Sequence, residues 1–501
     1  MINPRARPCD EAAIRSVRPD PSCVARQKFW VLAVTILGST MAFVDESVVN
    51  VALPAIEADL TAPVAVIQWL VNAYTLCVAA LMLIGGAAGD RLGRRRVFVA
   101  GAAIFAIGSV WCGLSPSVAQ LIAARALQGI GAAFMIPSSL AIIGASIDPT
   151  ERGRAIGTWA GFSAIAAALG PLLGGWIVDH VSWRWIFLVN PVLALPTIWA
   201  ALAHVPESRD SEAAPGLDWL GALLATAGLG SLVFGLIASS DRGWDDAMVQ
   251  GAIAAGLVLI GAFVVIEAHS RAPMMPLDVF ASRTFSGVNL LTLLLYAALG
   301  GAFFFLPFDL IQVHLYSATL AGAAFLPFTV MMGALSRWSG GLLDRFGARL
   351  PLIIGPTITS VGFALLALPG TDGSYVTTFF LPMAVLGFGM AIAVAPLTTA
   401  VMSAVPTHRA GVASGINNAA AAVANLLAVA VLGAVALNVY DRALDRHLVA
   451  KDVSVEVKAA VQESRGKFVA EPALARLQGD ERQTAAAIVR AALADSIALV
   501  M

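Results

Sequence analysis

Charge is scarce in this chain. Asp, Glu, Lys and Arg make up 13% of its 501 residues, about half the share a soluble domain carries. Net charge is only −1, which argues against a nucleic-acid partner. Cysteine is nearly absent. The four present, Cys9, Cys23, Cys77 and Cys112, follow no metal-ligand spacing, so neither a zinc site nor a disulfide framework is expected. No cleavable leader is visible either. The first 28 residues are Arg-rich, but the apolar run behind them is too long for a signal peptide and has no clear A-x-A site. It reads as a retained first helix.

Apolar sequence fills the space that charge leaves. The chain is 58% hydrophobic with a mean hydropathy of +0.82. Crossing a bilayer takes roughly 20 mostly apolar residues. Thirteen segments qualify: 29–53, 66–87, 97–115, 118–144, 155–178, 184–204, 217–238, 247–268, 285–307, 317–340, 350–369, 375–400 and 410–438. Open strands cannot span lipid, so these are helices, and the fold class is an all-α polytopic membrane protein.

Lys and Arg orient the spans. With the N-terminus in the cytoplasm, nineteen fall on the cytoplasmic side, including Arg94, Arg95, Arg96, Arg152, Arg271 and Arg349. Only Arg184 and Arg242 fall in short external loops. Residues 439–484 then form a long external loop, which the charge bias does not govern. It holds no cluster of catalytic residues, so an enzyme is not expected. The tail 485–501 is too short and too charged to span, so the last helix reads as missing. A natural thirteen-span protein is the alternative.

Four constellations could carry mechanism. The first is a repeated hairpin, G-x-x-x-D-R-[LF]-G followed by basic residues. One copy holds Gly86, Asp90, Arg91, Gly93, Arg94 and Arg95; the other holds Gly340, Asp344, Arg345 and Gly347. Small residues allow a neighbouring helix to approach, and the carboxylate can pair with Arg. Such a pair of hairpins could gate the cytoplasmic side. Obedience to the charge bias accounts for the arginines but not for the Gly-x-x-x-Asp. The second is Arg125, which shares one small, polar helix face with Gln128, Gly129 and Ala132. An arginine in mid-membrane needs a partner or water.

The third is Asp45-Glu46 with Asn50. At 1.5 Å per residue, Asp45 and Arg125 fall at similar depths, so the two can pair. A carboxylate alternately buried and hydrated is what proton coupling requires. Glu46, turned about 100° away, is the second candidate, and anchoring at the lipid–water boundary is the other role open to either acid. The fourth is Gly170-Pro171 with Gly174 and Gly175, a kinked groove of small residues that reads as an outer gate or as tight packing. Phe304 and Phe305, beside Asp309, offer aromatic surface to a flat or cationic ligand, or form an interfacial belt.

Together these elements resemble the major facilitator superfamily, in its fourteen-helix drug:proton antiporter branch. The Gly86–Phe98 hairpin resembles the signature loop between helices 2 and 3. Arg125, Gln128 and Gly129 resemble the helix-4 motif, and Gly170, Pro171, Gly174 and Gly175 the antiporter motif of helix 5. Gln68-Trp69-x-x-Asn72-Ala73-Tyr74, Trp183-Arg184-Trp185-x-Phe187-x-x-Asn190 and Arg409-Ala-Gly411-x-Ala-Ser414-Gly415-Ile-Asn417-Asn418 also look familial. Ser47 replaces the Thr common in that branch, and Ala166 a Gly.

The resemblance implies a cytoplasmic arm (1–28), a six-helix half (29–204), a linker with two inserted helices (205–268), a second half (269–438) and a final segment (439–501). It further implies export of small lipophilic or cationic compounds across the cytoplasmic membrane, with no cofactor beyond the proton gradient. The expected partners are substrate, protons and lipid. The chain is expected to act as a monomer, with a periplasmic adaptor open. Asp45 and Arg125 would serve proton coupling. A metabolite uniporter or symporter, or an inactive truncated transporter, is the competing expectation.

Overall fold

In a computed structural model, the backbone is described for residues 21–147, 149–209, 218–270, 273, 275–347, 349–368, 375–405, 410–449, 453–466, 468, 474 and 476–501. Among these every regular element is helical. The first six helices are α1 (Pro21–Leu60), α2 (Val64–Leu92), α3 (Arg94–Leu114), α4 (Val118–Ser146), α5 (Pro149–His180) and α6 (Trp185–His204). They pack mainly on one another. Next come α7 (Trp219–Arg242) and α8 (Ala247–His269), which pair, with α7 leaning on α2 and on a later helix, α14. The second set is α9 (Arg283–Phe308), α10 (Ala318–Ala323), α11 (Leu326–Phe346), α12 (Pro351–Leu366), α13 (Leu381–Ser403) and α14 (Ala410–Val449). Short α15 (Val455–Glu463) and terminal α16 (Gly479–Val500) complete the chain.

Among the described residues, 12 helices are long and apolar enough to cross a membrane. Each of the thirteen segments expected from the sequence has its helix, with 317–340 divided between α10 and α11. Two expectations are corrected at the C-terminal end. The last helix is not missing: α16 is 22 residues long and is among the 12. It starts at Gly479, and Asp480 and Glu481 sit in its first turn, where the positive end of the helix dipole favours acids. Asp495 does not bar the helix, because Arg446 and His447 of α14 meet it at 3.6 and 3.2 Å.

Nor is 439–484 simply a long loop. α14 runs on to Val449, and α15 follows. Val457, Val461, Phe468, Leu474 and Leu477 are buried in a cluster with α1, α2, α9 and α16. Enough apolar side chains lie among the charged ones to fold a cap over this end of the bundle.

The opposite end carries the Arg-rich hairpin between α2 and α3. Its turn needs glycine. Gly93 has φ +112°, and a Cβ there would lie 2.7 Å from a Glu207 carboxylate oxygen. Gly347, after α11, also has positive φ, +66°, so the turn recurs in the second half. Elsewhere small residues set helix spacing. A Cβ on Gly131 would press on the α3 backbone at Phe105, as close helix crossings require.

Candidate functional site

Asp45 and Arg125 meet inside the first half, 2% and 1% exposed. Arg125 Nη1 donates to Asp45 Oδ2. The same nitrogen donates to Gln128 Oε1 at 2.8 Å, and Arg125 Nε to the Leu70 carbonyl at 3.0 Å. The guanidinium lies over the Tyr74 ring, 4.3 Å from its centre. Asp45 Oδ1 accepts from Gln128 Nε2 at 3.1 Å and from Asn190 Nδ2 at 2.7 Å. Ser109 Oγ accepts from Gln128 Nε2 at 2.7 Å and from Asn190 Nδ2 at 3.3 Å. Five helices, α1, α2, α3, α4 and α6, therefore converge on this ion pair and the hydrogen bonds around it.

Helical geometry explains the convergence. Arg125 and Gln128 stand three residues apart on α4, so both point at α1. Gly129 on the same side lets α2 approach, because a Cβ there would press on Tyr74 and Cys77. A lone ion in this interior would be costly, and a pair is held only if the remaining lone pairs are satisfied. Both Asp45 oxygens have donors.

Glu46 and Asn50 stand half-buried on α1, outside this hydrogen-bonded shell. Gly170 faces Ser47, Gly174 faces Val48, and Gly175 abuts the Ala318 backbone of α10. The Pro171 carbonyl lies against Gly322. The Gly-Pro groove thus seats α1 on one side and a helix of the second half on the other. Just beyond it Asp179 accepts from the Ala318 and Thr319 amides at 3.0 and 2.7 Å and from the Thr319 hydroxyl at 2.5 Å. A side chain of one half caps a helix of the other.

At the hairpin end the described contacts join α2, α3 and the chain that follows α6. Arg94 pairs with Asp90 at 2.7 Å. Glu207 accepts from the Arg95 amide at 3.1 Å and lies 3.6 Å from both the Arg95 and the Arg96 side chains. The Arg94 amide donates to the Ser208 carbonyl at 2.8 Å. Gly86 and Gly89 face Pro137 and Ser138 of α4, and Arg91 is exposed. The side chains of Asp344 and Arg345 lie outside the described residues.

Phe304 and Phe305 are buried beneath the cap, and Phe305 and Phe308 pack on Phe468 with ring centres 6.1 and 5.6 Å apart. Asp309 opens a π-helical turn, with His314 Nδ1 3.7 Å from its carboxylate. An apolar groove of about 700 Å3, lined by Tyr316, Leu320, Val330, Tyr375 and Phe380, flanks the second half. None of its lining residues belongs to the Asp45 cluster.

Three residues of this geometry carried no assigned role in the sequence. Asn190 stood in a familial motif without a function. Ser109 is one serine in an apolar span and leaves no signal. Glu207 follows a predicted span, in the stretch read as linker.

A bundle of two helical halves with an ion pair buried inside the first is an architecture that suits a membrane transporter. Residues 35–429 match the family model described as the Major Facilitator Superfamily, and the chain belongs to that superfamily. It is 34% identical over 416 residues to the tetracenomycin C resistance and export protein of Streptomyces glaucescens, covering 82% of this chain and 77% of that one. It is likewise 34% identical over 436 residues to a puromycin resistance protein of Streptomyces alboniger, covering 86% and 84%. The cephamycin export protein of Amycolatopsis lactamdurans is 36% identical over 378 residues, covering 75% and 78%. Among solved structures, a bacterial homolog of the human lysosomal transporter Spinster, inward-facing and occupied, superposes with a TM-score of 0.66 at 16% identity. That match covers 94% of this chain and 93% of the other.

Proposed function

We propose that this transporter exports small lipophilic or cationic compounds, antibiotics among them, across the cytoplasmic membrane in exchange for protons. The observation that carries the reading is the Asp45–Arg125 pair, buried among five helices with each carboxylate oxygen hydrogen-bonded. The relatives named for resistance and export support the choice of cargo.

The N-terminus lies in the cytoplasm, following the arginine asymmetry, and the cap faces outward. In that orientation the outer side is closed. Asp179 holds α10, Gly175 abuts Ala318, and the Val64 amide of α2 donates at 3.0 Å to the Gly466 carbonyl of the cap. Among the described residues, the Asp90 carboxylate pairs with Arg94 of the same hairpin. Proton arrival at Asp45 neutralises it, loosens Arg125 and lets α1 and α4 shift, which re-sets the contacts between halves. When the inner side closes, Asp90 and Asp344 gate it. Glu46 is the second proton site, and Asn50 and Asp309 contact substrate.

The driving force suffices. One charge crossing 100 mV is worth about 2.3 kcal/mol, and one pH unit adds about 1.4 kcal/mol. One proton therefore supports a substrate gradient of several hundred-fold, at about 1.4 kcal/mol per tenfold. No cofactor is required, and one chain holds both halves of the machine. The test is Asp45→Asn in everted vesicles carrying an imposed pH gradient. Loss of gradient-driven uptake at normal membrane levels is expected. Uptake that survives and still collapses with an uncoupler would rule out Asp45 as the proton carrier.

A further inference from the structure

The α2 motif Gln68-Trp69-x-x-Asn72-Ala73-Tyr74 points two ways. Tyr74 turns to Arg125. Gln68 and Asn72, one helical turn apart and so on one face, lie elsewhere. They are 1% and 0% exposed, and none of their four side-chain nitrogen and oxygen atoms has a hydrogen-bond partner. The Gln68 carboxamide fills a notch at Gly433 of α14, where any Cβ would collide with it. Helices α2 and α14 come from different halves, so Gln68 lies in the seam between them.

Two buried, unpartnered carboxamides are unfavourable in this closed seam. Leucines of similar size would close it better. Polar groups retained inside spanning helices mark the transport path as a rule. Their chemistry narrows the ligand. Each carboxamide offers an NH2 donor and a carbonyl acceptor and carries no charge. That set matches carbonyl, amide and hydroxyl groups and has nothing particular to offer a bare lipophilic cation.

We infer that Gln68 and Asn72 are specificity-determining residues that hydrogen-bond the polar edge of substrates once α2 and α14 part. The inference rests on the export reading above and refines its substrate class. A site built to hydrogen-bond its ligand discriminates strongly against analogues that lack the group.

The experiment compares Gln68→Leu, Asn72→Leu and the double variant with wild type in everted vesicles, at matched membrane levels. One set of probes is hydrogen-bonding antibiotics, puromycin and tetracenomycin C among them. The other probe is tetraphenylphosphonium, which has no hydrogen-bonding group. The expected result is about a tenfold fall in antibiotic transport, with tetraphenylphosphonium changed by less than twofold. Gly433→Ala, which crowds Gln68 without removing it, should slow both classes alike and leave their ratio unchanged. An equal fall for both classes in the leucine variants overturns the inference. So does no fall, or greater heat stability with an unchanged ratio, which a packing role predicts. Wild type that moves only tetraphenylphosphonium overturns it while leaving export intact. Wild type that moves neither class sinks the export reading itself.

Discussion

Removing the Asp45 charge leaves Arg125 buried without its counter-ion. Breaking one side of such a pair costs about 3–5 kcal/mol, whereas replacing both partners costs far less. Asp45→Asn should therefore lower thermal stability in detergent clearly, and Asp45→Asn with Arg125→Gln should regain most of it. Gradient-driven uptake should stay absent in both, which separates coupling from folding. Asn190→Ala removes a 2.7 Å hydrogen bond to the carboxylate and should cost about 1.5–3 kcal/mol, the range for bonds to charged groups, read by the same unfolding assay. Asp45 and Arg125 were legible in the sequence because a charge inside an apolar run needs a partner. Ser109 was not, since a serine can satisfy its hydroxyl on its own helix, as Ser109 also does on the Phe105 carbonyl. Glu207 was not legible because its role depends on where the Gly93 turn brings α3.

Between elements, the informative joint is the one between Asp179 of α5 and the first amides of α10. Partial burial works to raise the Asp179 carboxyl, but the Thr319 hydroxyl and amide and the Ala318 amide outweigh it and hold the group below the usual aspartate range. A carboxylate with a depressed folded value contributes fully above its free value and loses that contribution as pH falls through the folded one. The α5–α10 contact should thus persist across the ordinary range and fail only in acid below the usual aspartate value. A distance probe between the ends of α5 and α10, followed against pH, checks this. Asp179→Ala should shift that distance toward the open state at neutral pH. At the hairpin, Gly93→Ala sets a side chain at φ +112° and against Glu207. It should destabilise by about 1–3 kcal/mol and lower membrane levels of the protein. The hairpin repeat was visible as a motif, and its glycine turns as a spacing. The trans-cap was not, because residues 179 and 318 become neighbours only when the halves meet.

For the molecule as a whole, the cap and α16 share one buried cluster with α1, α2, α9 and α14. Deleting Gly479–Met501 would strip the covering from Tyr440, Leu444 and Val461 and expose apolar surface where the halves join. Membrane levels of the deleted protein should fall sharply, measured by in-gel fluorescence of a fused reporter. The sequence by itself determined the all-helical membrane fold, the places of the thirteen segments and the charged residues that need partners. Those follow from local rules: lipid offers backbone groups no hydrogen bonds, and a charge in hydrocarbon is too costly to leave alone. The tertiary structure decided what those rules leave open. It made a helix of a tail with too many charges, because α14 answers Asp495. It folded a charged loop into a cap, because Phe468 finds Phe305, Phe308 and Tyr440. It also tied the Gly86–Phe98 hairpin to the chain that follows α6, through the Arg95 amide and Glu207. Each of these depends on partners far apart in the chain, and no pattern along one segment can choose among them.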